Sequence, residues 1–350
     1  MYPFKSGHVF VRNAWYVAAL GTEVGEALLE RRILNDPILL YRTKNGNAVA
    51  MHGLCPHRRL PLRMGKRVGD TVECAYHGIT FGPDGGCVRI PSQDRIGSQM
   101  RVRSYPVVER WNWIWIWPGD PELADTALIP DHVAMGLGDG WETTPVELYP
   151  VGTRYQLLIE NLLDLSHISF LHGSFIEDEA WFSTPVRMSN VDGAILASRH
   201  TPVSKRSAFS EWMFPDAPEL LDQDLRTVFL GPGLTYSGPV LREAASNSSN
   251  SRYLGTMYAI HAITPETPHS THYFSATTRD FRLGDTVMTA ELHQMDIAVR
   301  MQDVVALGAI ECELVSGADL PPEISVKADS PALHIRHLVE EMIARELAPT

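Results

Sequence analysis

Cys55-Pro56-His57 and Cys74-Ala75-Tyr76-His77 each offer one thiol and one imidazole, with sixteen residues between them. A [2Fe–2S] cluster with two thiolates on one iron and two neutral imidazoles on the other makes that demand. Two hairpin-like loops, each supplying one cysteine and one histidine, meet it. Imidazole ligation raises the reduction potential above that of an all-cysteine cluster, so such a centre accepts electrons from a ferredoxin and passes them on. The competing reading is zinc, whose sites more often gather paired cysteines and then paired histidines at short spacings. Downstream, Tyr76-His77-Gly78 runs into Phe81-Gly82-Pro83-Asp84-Gly85-Gly86. Its glycines allow tight turns beside the cluster.

The chain around these loops has 350 residues, room for two domains. A cluster domain needs only about the first third, which argues against a stand-alone electron carrier. The apolar fraction of 44% suits a globular protein with substantial cores. No run of about 18 uncharged apolar residues is present, so no membrane span is expected. Met1 to Arg12 lacks the apolar core of a secretory signal peptide. Of four cysteines, two are assigned to the cluster, leaving Cys87 and Cys312. That is too few for a disulfide framework, and a cytoplasmic location fits. The two leftover thiols read as inert packing residues.

The formal charge of −12 argues against a nucleic-acid binder. Against it stand Arg58, Arg59, Arg63, Lys66 and Arg67, all between the two loops. They are expected to form a basic collar that steers an acidic ferredoxin or reductase domain to the cluster. The alternative is ordinary surface charge held in structural salt bridges.

The first section reads as strands and turns: Val9-Phe10-Val11, Ile38 to Tyr41 and Ala48 to Met51. Asn45-Gly46 marks a hairpin between the last two. Trp111 to Trp117 reads as an aromatic strand, a packing element rather than a cofactor box. It ends at Pro118-Gly119-Asp120-Pro121, where a domain boundary is expected. Domains are therefore placed at 1–120 and 121–350. An acidic, proline-punctuated linker runs to roughly Trp141. Tyr155 to Leu171 is helical in composition. Val228 to Leu230, Tyr253 to Ile263 and Thr271 to Thr277 read as strands, with Pro265-Glu266-Thr267-Pro268 as a turn. Residues 286–312 form a long helix candidate. A last helix starts with Ser330 as N-cap and Pro331 at its first position.

Asn161, Asp164 and His167 are spaced three apart, which a helix places on neighbouring turns. His172 follows five residues after His167, too far round a regular helix to share a face, so a π-type bulge or a break is expected between them. Two histidines plus a distant carboxylate make the facial triad of non-haem iron(II) oxygenases, with positions left open for dioxygen. The third ligand is assigned to Asp303, with Asp296 two turns earlier as the alternative. Two histidines at a helix end, one capping and one packed, is the structural alternative for the pair.

With both motifs in hand, the chain resembles the oxygenase component of the Rieske non-haem iron aromatic oxygenases. It is similar to the vanillate O-demethylase, dicamba demethylase and toluenesulfonate methyl-monooxygenase branch. The resemblance spans nearly the whole chain. It runs from Arg12-Asn13-Ala14-Trp15-Tyr16-Val17-Ala18 through both cluster loops, Trp115-Ile116-Trp117, Asn161-Leu162-Leu163-Asp164, Thr264-Pro265-Glu266-Thr267 and Thr271-His272-Tyr273-Phe274 to the C-terminal helix. One departure stands out: Gln302 precedes Asp303 where the family usually shows Glu-Asp.

The resemblance implies an α+β architecture. An N-terminal all-β Rieske [2Fe–2S] domain precedes a helix-grip catalytic domain, an antiparallel sheet wrapped around a helix. It implies a [2Fe–2S] cluster on Cys55, His57, Cys74 and His77, and mononuclear Fe(II) on His167, His172 and Asp303. Electrons derived from NADH arrive through a separate reductase, and sometimes a ferredoxin. A head-to-tail homotrimer is implied, with one subunit's cluster facing its neighbour's iron. Asp164 matches the carboxylate that links His167 to the cluster ligand His77 across that interface. Asn161 sits near the open side of the iron, as an aid to dioxygen or a holder of solvent. His261 is read either as a satisfied core group or as a pocket residue that hydrogen-bonds substrate.

The expected activity is monooxygenation of a substituted aromatic acid or phenol. The enzyme would remove an O-methyl group as formaldehyde or hydroxylate a methyl. A ring hydroxylase or dihydroxylase is the near alternative. A Rieske electron-transfer protein without oxygenase activity, and a zinc-binding module, are alternatives of another class. Pocket shape is left to loops such as Ser174 to Thr184 and Ser204 to Pro218.

Overall fold

The computed structural model describes residues 3–5, 7–176, 178–244, 251–317 and 319–348. They form two compact units. The first comprises Phe10–Ile129 with Thr264–Pro268, and the second Met1–Val9, Pro130–Ile263 and His269–Thr350.

The first unit has no α-helix among its described residues. It holds three antiparallel sheets. Its organising strand is Asp36–Arg42, between Leu29–Ile33 and Ala48–His52. Side chains alternate across a strand, and here both faces are buried. Ile38 and Leu40 enter one hydrophobic cluster with Tyr16, Ile114 and Ile116. Leu39 and Tyr41 enter a second, with Met51, Val72, Phe81, Cys55 and Cys74. That is why Ile38 to Tyr41 reads as an unbroken apolar run. The turn Thr43–Asn47 closes as expected, with Gly46 at φ 84°.

Three local expectations are corrected here. Val9-Phe10-Val11 forms no strand. Trp111 to Trp117 is not one strand. Trp111 and Asn112 have φ 56° and 63° and form a two-residue hairpin turn joining Val107–Arg110 to Trp113–Ile116. Pro265-Glu266-Thr267 is not a turn but the end of the strand Tyr253–Thr267. The Pro265 and Glu266 carbonyls accept the Leu34 and Asn35 amides, and that pairing keeps the backbone extended.

The second unit is built on an eight-stranded antiparallel sheet. Its order is Glu142–Thr143, Ser270–Arg279, Tyr253–Thr267, Leu234–Glu243, Leu220–Gly231, Ala194–Lys205 and Arg187–Val191, with Glu147–Val151 also paired to Ser270–Arg279. The long helix Thr286–Val315 lies on one face, tied to it by Arg300 Nε donating to Ser275 Oγ and Thr277 Oγ1 donating to Asp296. The ladder between Leu234–Glu243 and Tyr253–Thr267 is interrupted at Gly238-Pro239, which stay paired to Arg226 and Leu225 on the other side. Pro239 has no N–H to donate, and a Cβ on Gly238 (φ 155°) would lie 2.0 Å from the Met257 carbonyl oxygen. The last helix, Ser330–Leu347, is preceded by a 3-10 turn, Lys327–Asp329. Ser330 is therefore already helical rather than the cap, and Asp329 takes the Val326 amide.

Among the described residues no helix is long and apolar enough to cross a membrane.

Candidate active site

The two Cys–His loops of the first unit share one backbone frame. The Cys55 carbonyl accepts the Arg59 amide and the Cys55 amide donates to Leu60. Likewise the Cys74 carbonyl accepts the Gly78 amide, and the Cys74 amide donates to Ile79. Each loop closes on a left-handed residue, Arg59 at φ 60° and Gly78 at φ 67°. Cys55 and Cys74 are each 2% exposed and form no disulfide. Burial pushes the Cys55 thiol up from its ordinary pKa. His57 and His77 are exposed, with ring centroids 4.6 Å apart. Two thiols facing inward and two imidazoles facing outward suit a cluster whose iron atoms differ in ligand type.

In the second unit, helix Tyr155–Leu163 ends at Asp164 (φ −97°, ψ 88°) and a 3-10 turn, Leu165–His167, follows. A short helix, Ile168–Leu171, then places His172 at its C-terminal cap. The break thus sits at Asp164, ahead of both histidines rather than between them. It lets His167 and His172 converge, with ring centroids 5.2 Å apart.

Both rings are oriented by acceptors. His167 Nδ1 donates to the Asp164 backbone carbonyl at 2.6 Å, and His172 Nδ1 donates to Gln302 Oε1 at 2.8 Å. A carbonyl oxygen only accepts, so in neutral rings the lone pairs lie on Nε2. Those nitrogens face Asp303 Oδ1 at 3.7 and 3.2 Å. Candidate ligand atoms of His167, His172 and Asp303 lie within 4.8 Å of one another. Burial lowers the His167 pKa, which keeps its ring neutral. Burial alone would raise the Asp303 carboxyl, but the Arg300 charge beside it helps hold it below the ordinary range. Asp303 Oδ2 is buried without a hydrogen-bond partner among the described residues. Two lone pairs and a carboxylate converging without a proton between them suit a bound cation.

The other sequence-selected residues fall around this triad. Asn161 Nδ2 donates to Asp303 Oδ1 at 3.1 Å. Asp296 is buried but paired with Arg300 at 3.0 Å and Thr277 at 3.1 Å, outside the triad. The Asp164 side chain takes the Ser166 amide and faces Arg199 at 3.6 Å, so its contact with His167 runs through the main chain. His261 is not on the cavity wall. It is fully buried, between Tyr273 and Ser237. In the basic collar, Arg63, Lys66 and Arg67 pair with Glu30, Glu73 and Glu26. Arg58 and Arg59 are exposed and make no ion pair among the described residues. Cys312 is exposed rather than packed.

Beside the triad lies a partly open cavity. Its wall is mainly apolar, including Leu162, Leu165, Ile168, Trp181, Leu225 and Met257. That lining suits an aromatic guest. The loop 174–184 contributes Ile176 and Trp181, while its Glu177 lies outside the described residues. The loop 204–218 instead sends Phe209 and Met213 into the core. His167 also lines a second groove, with Asn161, Asp164, Glu160 and Arg336. Sequence reading missed Arg199, Arg300 and Ser237. The one available signal for Arg300 was its place one helical turn before Asp303.

Residues 14–106 match the Rieske [2Fe-2S] domain family, and residues 151–345 match the vanillate O-demethylase oxygenase C-terminal domain family. The chain belongs to the Rieske oxygenases. It is 32% identical to the toluene-4-sulfonate monooxygenase system iron-sulfur subunit of Comamonas testosteroni, over 97% of this chain and 98% of that one. It is 34% identical to the dicamba O-demethylase oxygenase component of Stenotrophomonas maltophilia, over 97% and 99%. A crystal structure of dicamba monooxygenase bound to 3,6-dichlorosalicylic acid superposes with TM-score 0.86 at 32% identity, covering 98% of this chain and 100% of that one. Another, with non-heme iron and dicamba, gives TM-score 0.80 at 31% identity, covering 97% and 99%. The architecture is that of this Rieske oxygenase branch, an N-terminal all-β Rieske domain and a helix-grip catalytic domain.

Proposed function

We propose that this chain is the terminal oxygenase of a multicomponent Rieske monooxygenase that removes an O-methyl group from, or hydroxylates a methyl of, a substituted aromatic acid or phenol. The observation that carries the reading is the triad of His167, His172 and Asp303 on the wall of an apolar cavity. In that reading the domains divide near residue 120. Cys55, Cys74, His57 and His77 hold the [2Fe–2S] cluster, and His167, His172 and Asp303 hold mononuclear Fe(II). Bound there, the iron supplies activation of dioxygen with electrons from NADH, delivered through a separate reductase. For demethylation the net change is one methoxy group, dioxygen, NADH and a proton giving a phenol, formaldehyde, water and NAD⁺.

The protein's own groups do the rest. Gln302 and the Asp164 carbonyl fix the two imidazoles through their Nδ1–H groups. Asn161 steadies Asp303. The apolar wall excludes water and holds the ring of the substrate. Turnover with NADH, a surrogate reductase chain and a panel of methoxylated and methylated aromatic acids tests the proposal. Formaldehyde matching substrate consumed supports demethylation, and one added oxygen without formaldehyde supports methyl hydroxylation. Two added oxygens, or no product, would overturn it.

The assembly is proposed as a cytoplasmic homotrimer in which Asp164 lies between His167 and the neighbouring subunit's cluster. The support is the position of Asp164, partly exposed in the groove behind His167. Asp164→Asn is expected to keep full iron content and a native mass near three chains, yet slow turnover at least tenfold. Unchanged turnover would remove this role. Docking of the electron donor is proposed at Arg58 and Arg59, since the rest of the collar is neutralised by glutamates. Arg58→Glu with Arg59→Glu is expected to slow cluster reduction about tenfold at low salt and flatten its salt dependence. Reduction rates that keep their salt slope would exclude this face.

A further inference from the structure

Asp296 is the one acidic side chain on the cavity wall besides Asp303. It is 4% exposed. Its two side-chain contacts fall on the same oxygen. Thr277 donates its hydroxyl to Oδ1 at 3.1 Å, and Arg300 Nη2 lies 3.0 Å from Oδ1. Asp296 Oδ2 accepts no hydrogen bond among the described residues. Asp303 Oδ2 is also unpaired but sealed from solvent, whereas Asp296 Oδ2 keeps access to the cavity.

The Asp296 carboxylate is held from two sides. Arg300 stands one helical turn further along Thr286–Val315, and its Nε donates to Ser275 Oγ at 3.2 Å. Thr277 belongs to the strand Ser270–Arg279. Two anchors on one oxygen fix the direction of the other. An incoming donor therefore meets an acceptor already in place.

The surrounding charges decide what that acceptor takes. Arg300 already serves Asp296 and faces Asp303 at 3.7 Å. A guest carboxylate here would bring a third anion to one guanidinium, inside an apolar wall that screens charge poorly. A guest hydroxyl brings no charge and one proton, which Oδ2 can accept. Hydrogen bonds to a charged acceptor are the stronger kind. A ring with neither group would strip water from Oδ2 and leave it unpaired.

We propose that Asp296 is a specificity-determining residue that accepts a hydrogen bond from a neutral donor on the substrate ring, a phenolic hydroxyl. It selects phenols over acids for the ring position that faces it. This inference rests on the aromatic-oxygenase reading above.

Equilibrium binding to the iron-loaded enzyme tests it, with the three methoxyphenols, the three methoxybenzoates and methoxybenzene as ligands. The best-bound methoxyphenol should bind about tenfold to a hundredfold tighter than methoxybenzene, the worth of a hydrogen bond to a charged group, and tighter than the matching acid. A crystal structure of that complex should place the phenolic oxygen within hydrogen-bond distance of Asp296 Oδ2. In Asp296→Asn the phenols should lose at least about threefold of their preference over methoxybenzene. The acids should instead bind more tightly, because Arg300 loses its charged partner. Acids that outbind the phenols in the wild type would overturn the inference, as would a phenolic oxygen placed elsewhere in the complex; neither result needs a variant. An Asp296→Asn enzyme that keeps the phenol preference, or weakens all three classes alike, would overturn it too. Each of these leaves the oxygenase reading standing. If the wild type bound none of the compounds, the aromatic reading would fall, and this inference with it.

Discussion

Asp303→Asn is expected to release the mononuclear iron and reduce product formation to background while leaving the cluster intact. The change is nearly isosteric, so the helix 286–315 and its packing should persist. The lost property is the negative charge that two Nε2 lone pairs face at 3.2 and 3.7 Å. An amide is a weak iron(II) ligand, and a facial site with two imidazoles alone holds the metal poorly. Iron per chain should fall from about three to about two. The visible and electron-paramagnetic signatures of the reduced cluster should not change. Arg300 would keep its partner Asp296, so little loss of stability should accompany the loss of metal. Asp296→Asn is the contrasting variant, and its iron content should stay near that of the wild type. Retention of the third iron in Asp303→Asn, or its loss in Asp296→Asn, would reassign the carboxylate ligand.

Glu311→Ala is expected to be the most damaging single change to the second unit's stability. Glu311 is 3% exposed and accepts Arg154 Nε and Nη2, each at 2.7 Å, the Arg154 amide at 3.2 Å and His269 Nδ1 at 2.7 Å. It joins the long helix to the residue that caps the helix Tyr155–Leu163. Both metal-site segments therefore hang from this junction. Removing the carboxylate takes away the acceptor of the Arg154 Nε and Nη2 hydrogen bonds and breaks a buried ion pair, a loss of about 3–5 kcal/mol. Denaturant unfolding of the second unit's signal should register it.

The same group carries a pH dependence. Burial raises the Glu311 carboxyl, but the Arg154 and His269 contacts outweigh it and hold the folded-state pKa below the ordinary one. Its contribution to stability is complete above the unfolded glutamate value of ~4.3 and fades as pH falls through the lower folded value. Wild type and Glu311→Ala should therefore converge in stability on acidification. A constant difference down to low pH would contradict this.

Residue type made the metal chemistry legible. Cys and His at short spacing mark both loops, and His167 and His172 stand together in one segment. The identity of the acid was less legible, because Asp296 and Asp303 share a helix and both are buried. What separates them lies across space: Thr277 and Arg300 engage Asp296, while Asn161 and His172 engage Asp303. Gln302 looked like a departure from the family pattern, yet its amide oxygen serves as the acceptor that orients His172. Arg199 and Arg300 were overlooked because buried arginines resemble surface ones until their partners are seen. Errors of local structure have similar causes. Aromatic content made Trp111 and Asn112 resemble strand, though they turn. The prolines of residues 265–268 suggested a turn over all four, but the turn is confined to Pro268 and His269, and paired carbonyls keep Pro265 and Glu266 extended.

The matching frames of the two cluster loops carry one more consequence. Each loop needs a left-handed residue at its closing position, and Gly78 adopts that conformation without steric cost. Arg59 does not, and a side chain held there costs roughly 1–2 kcal/mol. The two halves of the cradle therefore differ in readiness. The half bearing Cys74 and His77 closes without that cost, whereas the half bearing Cys55 and His57 closes against it, held by its own backbone hydrogen bonds and favoured further by any ligand that binds the closed form.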